Sequence, residues 1–425
     1  MITVAQVKKV EQYLEKYAST FPFSGSLILS ESGKPLVEFA NGLADRSFEV
    51  PVDKLTRFPV ASLSKAFTCM AILLLQQEQK LNIQAAANKY LPSHIRVDGR
   101  ITLHHLMSHT SGLPDYKLEP GENLAHLFAT PLSRDIWVPT FLSFPPMFEP
   151  GTSYAYCNPG YYLLGIVIEE VSGQSFGDFL HDRIFQKLGM GQSSIDDPKA
   201  IIPNRAQPYE LQNKTYVRAP FTDASNFYPQ GGIISNIGDL NTWMIALQEN
   251  QLLNKEWQAS MFKPYMFSSP NKEISYGYGW HILVRHGRIT YGHGGYHWGY
   301  RSHAEHYPNE NISLFILSNN GFQEVMKLSD AITTYIFGGK LKMPTKPRSK
   351  KIDVQPYLGR YESGSFAIEL KQEKKKYWMK WGKEVAWEVY PIDEGLFHHA
   401  LIDESYRIRS MEDGSMVLAG CKKVS

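Results

Sequence analysis

Residues 58–75 read FPVASLSKAFTCMAILLL, and the interpretation of the whole chain depends on this stretch. Apolar positions recur at helical spacing after Ser64, so we expect a long buried helix that begins there and runs to about Leu81. Ser62 and Lys65 are three residues apart, a spacing that places two side chains on the same face of a helical turn. A lysine that burial keeps neutral can take the proton of a serine hydroxyl and make that oxygen a nucleophile.

On its own, a serine three residues before a lysine is more often a helix cap followed by a surface lysine. Two later segments change that interpretation. GTSYAYCNPGYY (151–162) contains Tyr156 and Asn158, and ITYGHGG (289–295) ends in His293 and two glycines. The chain therefore presents Ser-x-x-Lys, Tyr-x-Asn and basic-x-Gly elements in this order.

The order of these elements resembles that of the serine β-lactamase and penicillin-binding protein superfamily. It is most similar to the branch that holds class C β-lactamases, D-alanyl-D-alanine carboxypeptidases, D-aminopeptidases and related esterases. Further stretches similar to passages of that family are residues 106–116, 148–173, 231–243 and 276–280. The resemblance covers about residues 5–335.

The resemblance implies a role for each residue of the first two elements. Ser62 would be the nucleophile that forms an acyl-enzyme. Lys65 and Tyr156 would move its proton, and Asn158 would hydrogen-bond the substrate amide. We also expect nearby cations, Lys65 and a protonated His293, to favour the phenolate form of Tyr156.

The third element departs from the family pattern. The resemblance implies that the backbone N–H groups of Ser62 and Tyr296 form an oxyanion hole, and that Gly294 and Gly295 lie beside the substrate. β-Lactamases of this family carry Lys-Thr-Gly where this chain has His293-Gly294-Gly295. Since the lysine and threonine help to hold a substrate carboxylate, we expect a peptidase or esterase for D-amino-acid peptides, amides or small esters. A β-lactamase or D-alanyl-D-alanine carboxypeptidase is the alternative.

Three other interpretations deserve comparison. GQSFG (173–177) matches the G-x-S-x-G elbow of α/β-hydrolases around Ser175, but the glycine-rich oxyanion segment would then follow the serine instead of preceding it.

HAE (303–305) opens the zinc-deaminase signature, yet the sequence contains neither P-C-x-x-C nor H-E-x-x-H, so we expect no metal and no cofactor. A catalytically slow penicillin-binding sensor or scaffold is a further alternative.

The balance of charged residues limits the kinds of partner that the chain can bind. The chain has 425 residues, with 44 basic and 42 acidic side chains and a formal net charge of +2. This balance creates no field that attracts nucleic acid or an anionic membrane, so we expect a small-molecule or short-peptide substrate. The sequence leaves the oligomeric state open. The first residues show amphipathic helical spacing instead of a secretory signal, and three scattered cysteines argue against a disulfide framework, so we expect a cytoplasmic protein.

The remaining patterns predict the domain organisation. Two apolar runs, at residues 27–29 and 36–39, lie on either side of a turn at residues 31–34 and predict an N-terminal β-hairpin. Short strand patterns near both ends of the first 340 residues bracket mainly helical ones, which predicts an α+β fold: an antiparallel sheet flanked by helices, with an inserted helical lobe. We assign residues 1–339 to this β-lactamase-like domain and residues 340–352 to a basic, proline-containing linker with few side chains that could pack. Alternating short segments predict a small barrel-like β domain over residues 353–425.

Overall fold

The computed structural model describes residues 1–116, 124–212, 215–268, 273–364, 366–382, 386–411 and 413–424. Its helices are α1 (Val4–Thr20), α2 (Ser64–Gln77), α3 (Leu103–Met107), α4 (Leu124–Leu127), α5 (Arg134–Leu142), α6 (Asn158–Ser172), α7 (Phe176–Leu180), α8 (Gln186–Leu188), α9 (Tyr228–Gly231), α10 (Ile237–Gln248), α11 (Lys255–Met261) and α12 (Val325–Ile336).

The strands fall into a group before residue 320 and a group after residue 358. The first group is β1 (Gly25–Glu31), β2 (Lys34–Asn41), β3 (Leu43–Asp45), β4 (Val50–Pro51), β5 (Phe58–Pro59), β6 (Ser194–Ile195), β7 (Tyr209–Gln212), β8 (Thr215–Arg218), β9 (Ile233–Ser235), β10 (Met266–Phe267), β11 (Ile274–Tyr276), β12 (His281–Arg285), β13 (Arg288–His297), β14 (Tyr300–Tyr307) and β15 (Ile312–Ser318). The second group is β16 (Gly359–Ser363), β17 (Phe366–Glu373), β18 (Lys376–Trp381), β19 (Trp387–Asp393), β20 (Leu396–His399), β21 (Ser405–Ser410), β22 (Met416–Leu418) and β23 (Cys421–Lys423).

An eight-stranded antiparallel sheet organises the first domain, in the order β10-β11-β12-β13-β14-β15-β1-β2. The predicted N-terminal hairpin is present as β1 and β2, and β1 also pairs with β15 in a register that sets Gly25 opposite Ser318. Strands from the two ends of the domain therefore complete one sheet. The α+β prediction is confirmed.

Helices cover both faces of this sheet, and the central strands β1 and β15 are buried on both sides. On one face α1 and α12 enclose a core with Leu27, Leu29 and Ile316. On the other face α2, α6 and α10 form the larger core, which includes Ile28 and Phe315 of the sheet. The alternation of Leu27, Ile28 and Leu29 between the two cores follows from the two-residue period of a strand.

The central helix α2 is buried along most of its length, but it is shorter than the sequence suggests. It ends at Gln77 instead of continuing to about Leu81. Gln79 adopts a positive φ of 58°, a left-handed conformation that an α-helix cannot continue through. Among the described residues, no helix is both long and apolar enough to cross a membrane.

The second group of strands, β16 to β23, forms a closed barrel with its own apolar core. Residues 340–352 contain no helix or strand. Contrary to the expectation that this segment packs little, Leu341 and Met343 lie against the core beneath α1 and α12, and Ile352 lies against the barrel core. The exact domain limits stay a prediction.

Candidate active site

Ser62 lies in a short 3-10 turn, Ala61–Leu63, directly before α2. The turn is anchored on its N-terminal side, where the Val60 N–H donates to the Ile233 carbonyl oxygen at 2.9 Å. Ala61 adopts a positive φ of 48°. A non-glycine residue in this conformation costs of order 1–3 kcal/mol, and such strain is found where packing holds a reactive side chain in place.

Strand β13 packs directly against this turn, and Gly295 makes the close approach possible. A Cβ atom at Gly295 would lie 2.2 Å from Ser302 Oγ and 2.5 Å from the Val60 carbonyl oxygen. Ser302 Oγ itself donates to that carbonyl at 2.7 Å. The absence of a side chain at Gly295 therefore brings the backbone of β13, including Tyr296, beside the turn that carries Ser62.

Lys65 is fully buried, and three oxygen atoms surround its amine. Nζ lies 3.1 Å from Ser62 Oγ, 2.8 Å from Asn158 Oδ1 and 2.8 Å from the carbonyl oxygen of Gln230. Burial lowers the pKa of Lys65 to about 7. A neutral amine has two N–H groups and one lone pair, so donation to the amide and carbonyl oxygens leaves the lone pair for the Ser62 hydroxyl.

Tyr156 donates its hydroxyl proton to Ser62 Oγ at 2.9 Å. Burial raises its pKa well above the ordinary value, while the hydrogen bond to Ser62 acts in the opposite direction. The expected phenolate is therefore wrong: desolvation outweighs the nearby amine, and Tyr156 is a protonated donor. The Ser62 oxygen accepts from Tyr156 and is free to donate its own proton to Lys65.

His293 is buried behind this network instead of acting as a flanking cation. Its Nδ1 lies 2.6 Å from the Gly294 carbonyl oxygen and its Nε2 lies 3.0 Å from the Tyr276 hydroxyl. Nδ1–H therefore donates to the carbonyl and Nε2 accepts from Tyr276. Burial, with His281 and Lys65 nearby, lowers the pKa of His293 well below 6.5. The expectation that a protonated His293 assists Tyr156 is wrong, because the ring is neutral at neutral pH.

Asp115 belongs to the same network, although the sequence interpretation did not single it out. One of its carboxylate oxygens accepts the Asn158 backbone N–H and the other accepts Asn158 Nδ2, each at 3.1 Å. The contact with Nδ2 orients the amide so that Oδ1 faces Lys65, and the contact with the backbone N–H holds the residue in place. The available signal was that Asp115 is the single Asp, Glu, Lys or Arg in residues 106–116.

These groups lie at one end of a cavity of about 860 Å³, a size typical of small-molecule sites. The predicted residues that line it are Ser62, Tyr156, His293, Gly294, Gly295 and Tyr296. Lys65 and Asn158 lie behind Ser62, joined to it by the hydrogen bonds above. The structure thus brings all the predicted residues to one place.

The competing candidates have other surroundings. Ser175 caps the N-terminus of α7, where its Oγ accepts the Asp178 N–H and donates to the Asp178 carboxylate. In the HAE segment, His303 Nε2 lies 3.6 Å from Glu305, whose carboxylate already binds Arg285 and Ser329. Within the described ranges, no group of three or more His, Cys, Asp or Glu side chains is arranged to hold a metal ion.

Comparison with known proteins adds independent information. The family profile described as Beta-lactamase matches residues 14–333. Penicillin-binding protein 4* of Bacillus subtilis (strain 168) is 28% identical over 425 residues, which cover 92% of this chain and 91% of that protein. A D-aminopeptidase of Gluconobacter oxydans (strain 621H) is 24% identical over 360 residues, or 83% of this chain and 66% of that protein. The crystal structure of a penicillin binding protein from Bacillus halodurans matches with a TM-score of 0.68 and 27% identity, covering 77% of this chain and 99% of that one.

Proposed function

The chain belongs to the β-lactamase family of serine hydrolases, and from that premise we propose that Ser62 is its nucleophile, with neutral Lys65 as the base and Tyr156 as the proton donor. The observation that carries this proposal is the placement of the Lys65 amine, which lies 3.1 Å from Ser62 Oγ and 2.8 Å from each of two further acceptor oxygens. A base with a pKa of about 7 is well matched to proton transfer near neutral pH.

In acylation, Lys65 takes the Ser62 proton while Oγ forms a bond to the acyl carbon. The carbonyl oxygen becomes negatively charged and accepts hydrogen bonds from the backbone N–H groups of Ser62 and Tyr296. Each such donor stabilises the intermediate by roughly 3–4 kcal/mol. Tyr156 donates a proton to the leaving group as its bond to the acyl carbon breaks, and the proton held by Lys65 replaces it.

Deacylation reverses these transfers. A water molecule takes the position of the leaving group, gives a proton to the Lys65 and Tyr156 pair, and attacks the acyl carbon. The Ser62 oxygen recovers its proton as the acid product leaves. Asn158 orients the base through its Oδ1 contact with Lys65, and Asp115 orients Asn158.

We assign the substrates to D-amino-acid amides, peptides or small esters that present no free carboxylate next to the leaving group. The D-aminopeptidase relative supports the D configuration. The neutral His293 ring and the missing side chain at Gly294 support the second part, since neither supplies the charge or the hydroxyl that would hold a carboxylate. Similarity to penicillin-binding proteins makes acylation by penicillin the second candidate activity.

The test compares purified wild type, Ser62→Ala and Ser175→Ala. We expect a fluorophosphonate probe to label wild type and Ser175→Ala but not Ser62→Ala, and D-alanine p-nitroanilide to be hydrolysed faster than its L-enantiomer. Labelling that survives in Ser62→Ala would refute the nucleophile. Labelling of Ser62 by a fluorescent penicillin without turnover of any ester or amide would favour a sensor over a hydrolase.

A further inference from the structure

A second cavity, here called the interdomain cleft, lies between the first domain and the barrel. Its volume is about 520 Å³. Aromatic side chains from both domains line it: Tyr296, Trp298 and Phe322 from the first, and Trp378, Trp387 and Tyr406 from the barrel. Tyr296, Arg301 and Glu324 also line the cavity that contains Ser62. The interdomain cleft and the catalytic cavity therefore share part of their lining.

Trp378 is the barrel residue whose side chain most clearly lines the cleft and lies outside the barrel core. Its neighbour Met379 is fully buried in the barrel core, and successive side chains of a strand point to opposite faces. Trp378 therefore points outward, and in the sheet it pairs with Lys371 on one side and Glu388 on the other. An outward indole between charged residues contributes little to the barrel core, yet here it is half-buried in the wall of the cleft.

Tyr296 and Arg301 stand where the two cavities meet. The Arg301 guanidinium lies 4.2 Å from the centre of the Tyr296 ring, and Arg301 Nε donates to the Gly321 carbonyl oxygen at 2.6 Å. The cation and the ring attract each other, and the carbonyl fixes the cation. The residue whose N–H is assigned to the oxyanion hole thus also presents its ring to the entrance of the cleft.

The direction of β13 decides which part of a substrate reaches the cleft. In the proposed mechanism the leaving group takes its proton from Tyr156, whose ring centre lies 6.2 Å from that of His293. The cleft is lined by Tyr296 of β13 and by Trp298 directly after the strand, whereas His293, further toward the start of β13, lines only the catalytic cavity. With the carbonyl carbon at Ser62, the leaving group lies toward His293 and the acyl portion extends toward the cleft.

We propose that the interdomain cleft binds an apolar, preferably aromatic, group on the acyl side of the substrate, so that the barrel selects acyl donors longer than one amino-acid residue. This inference rests on the proposed function of Ser62 as the nucleophile. It gives the barrel a direct part in substrate recognition, and aromatic contacts in a cleft of this size are a source of such selectivity.

The test uses full-length protein and two substrates, D-alanine p-nitroanilide and N-(2-naphthoyl)-D-alanine p-nitroanilide. In wild type the extended substrate has the higher kcat/KM. Trp378→Ala should lower the ratio of the two kcat/KM values about five- to twentyfold, through KM, and Trp378→Phe should restore most of it. Phe366→Ala, which truncates an exposed aromatic side chain of the barrel outside the cleft, should leave the ratio unchanged. An unchanged ratio in Trp378→Ala would overturn the proposal.

A binding measurement separates this inference from the proposed function. If neither substrate is turned over, the proposed function fails. Binding to the cleft is then measured separately, as the Kd of N-(2-naphthoyl)-D-alaninamide for Ser62→Ala protein in titration calorimetry. We expect the Kd to rise about five- to twentyfold when Trp378→Ala is added to that background. Equal Kd values in the two proteins would refute the cleft as a binding site.

Discussion

The Lys65 amine lies 3.1 Å from the Ser62 hydroxyl oxygen, inside a pocket dry enough to lower its pKa to about 7. Desolvation is the largest cause of this shift, and the Asp115 carboxylate opposes it. The lowered pKa gives Lys65 a neutral form near pH 7, without any need for Tyr156 to ionise. The base and the nucleophile come from one helical turn, and the remaining groups set their protonation and orientation.

The first prediction concerns the pH dependence of the reaction. Because the neutral amine is the base, kcat/KM for a neutral ester should rise about tenfold per pH unit below pH 7 and level off above it. Initial rates between pH 5 and 9 give this profile. Lys65→Arg, which stays charged throughout, should lose at least about a thousandfold in kcat. A wild-type profile that is flat across pH 7 would rule out Lys65 as the base.

The second prediction concerns Asp115, a positioning residue. Asp115→Asn replaces one acceptor with a donor facing Asn158 Nδ2, so kcat should fall roughly ten- to a hundredfold as the amide turns. The substitution also removes the negative charge that raises the pKa of Lys65. The ascending limb of kcat/KM should therefore move to lower pH, which a purely structural role would not cause.

The control for Asp115→Asn is Asp98→Asn, which neutralises an exposed carboxylate paired with Arg100. Asp98→Asn should change neither kcat nor the pH at which the ascending limb of the kcat/KM profile lies. If the limb of Asp115→Asn stays in place or moves to higher pH, the assigned coupling to Lys65 is wrong.

The third prediction compares two adjacent glycines. At Gly294 the nearest atom to an added Cβ is the Ser302 carbonyl oxygen at 4.0 Å, whereas at Gly295 the Cβ would overlap Ser302 Oγ and the Val60 carbonyl. Gly295→Ala should cost about 1–3 kcal/mol of stability and most of the activity, because β13 must move away from Ser62. Gly294→Ala should keep the wild-type Tm. Thermal unfolding and kcat/KM of both variants test this, and equal behaviour would contradict the packing.

The fourth prediction concerns carboxylate-bearing substrates such as benzylpenicillin. Gly294→Thr restores a hydroxyl in a place that has room for it, and one added hydrogen bond is worth about 0.5–1.5 kcal/mol. The second-order acylation rate should rise about two- to tenfold, while a neutral ester gains nothing. Equal gains for both substrates would contradict carboxylate recognition.

Unlike Gly294→Thr, the substitution His293→Lys disturbs the buried site. It adds a second amine to the surroundings of Lys65 and removes the contact with Tyr276. We expect it to lower the Tm instead of improving carboxylate binding. Since His293 is neutral, the wild-type reaction with penicillin should follow the ionisation of Lys65 alone.

The parts of the fold that the sequence predicted depend on local patterns. The hairpin of β1 and β2 follows from two apolar runs around a turn, and the relation of Ser62 to Lys65 follows from the geometry of one helical turn. Their meeting with Tyr156 and Asn158 could be predicted only from the order of family motifs, because about ninety residues separate the two elements.

The parts that the sequence did not predict depend on burial. The ionisation of Tyr156 was inferred from nearby cations, but the size of the desolvation penalty is set by tertiary neighbours such as His109, whose ring centre lies 4.3 Å away. Asp115 was missed for a related reason: a lone acidic residue in a loop acquires its role only through the fold. The barrel-like domain was predicted from its short alternating segments, but the pairing of β16 with β23 that closes it is a contact that no local pattern indicates.

The pairing of β1 with β15 has a consequence for the order in which the protein can fold during synthesis. The hairpin of β1 and β2 is synthesised before the rest of this sheet, but the apolar residues Leu27 to Leu29 gain their second partner strand only when β15 has been made. Such distant pairing slows folding and exposes an unpaired strand edge to other chains. The barrel, in contrast, joins mostly consecutive strands, so it can form rapidly once it is made. Termination of synthesis before β15 would leave the sheet of the first domain incomplete instead of giving a shorter working enzyme.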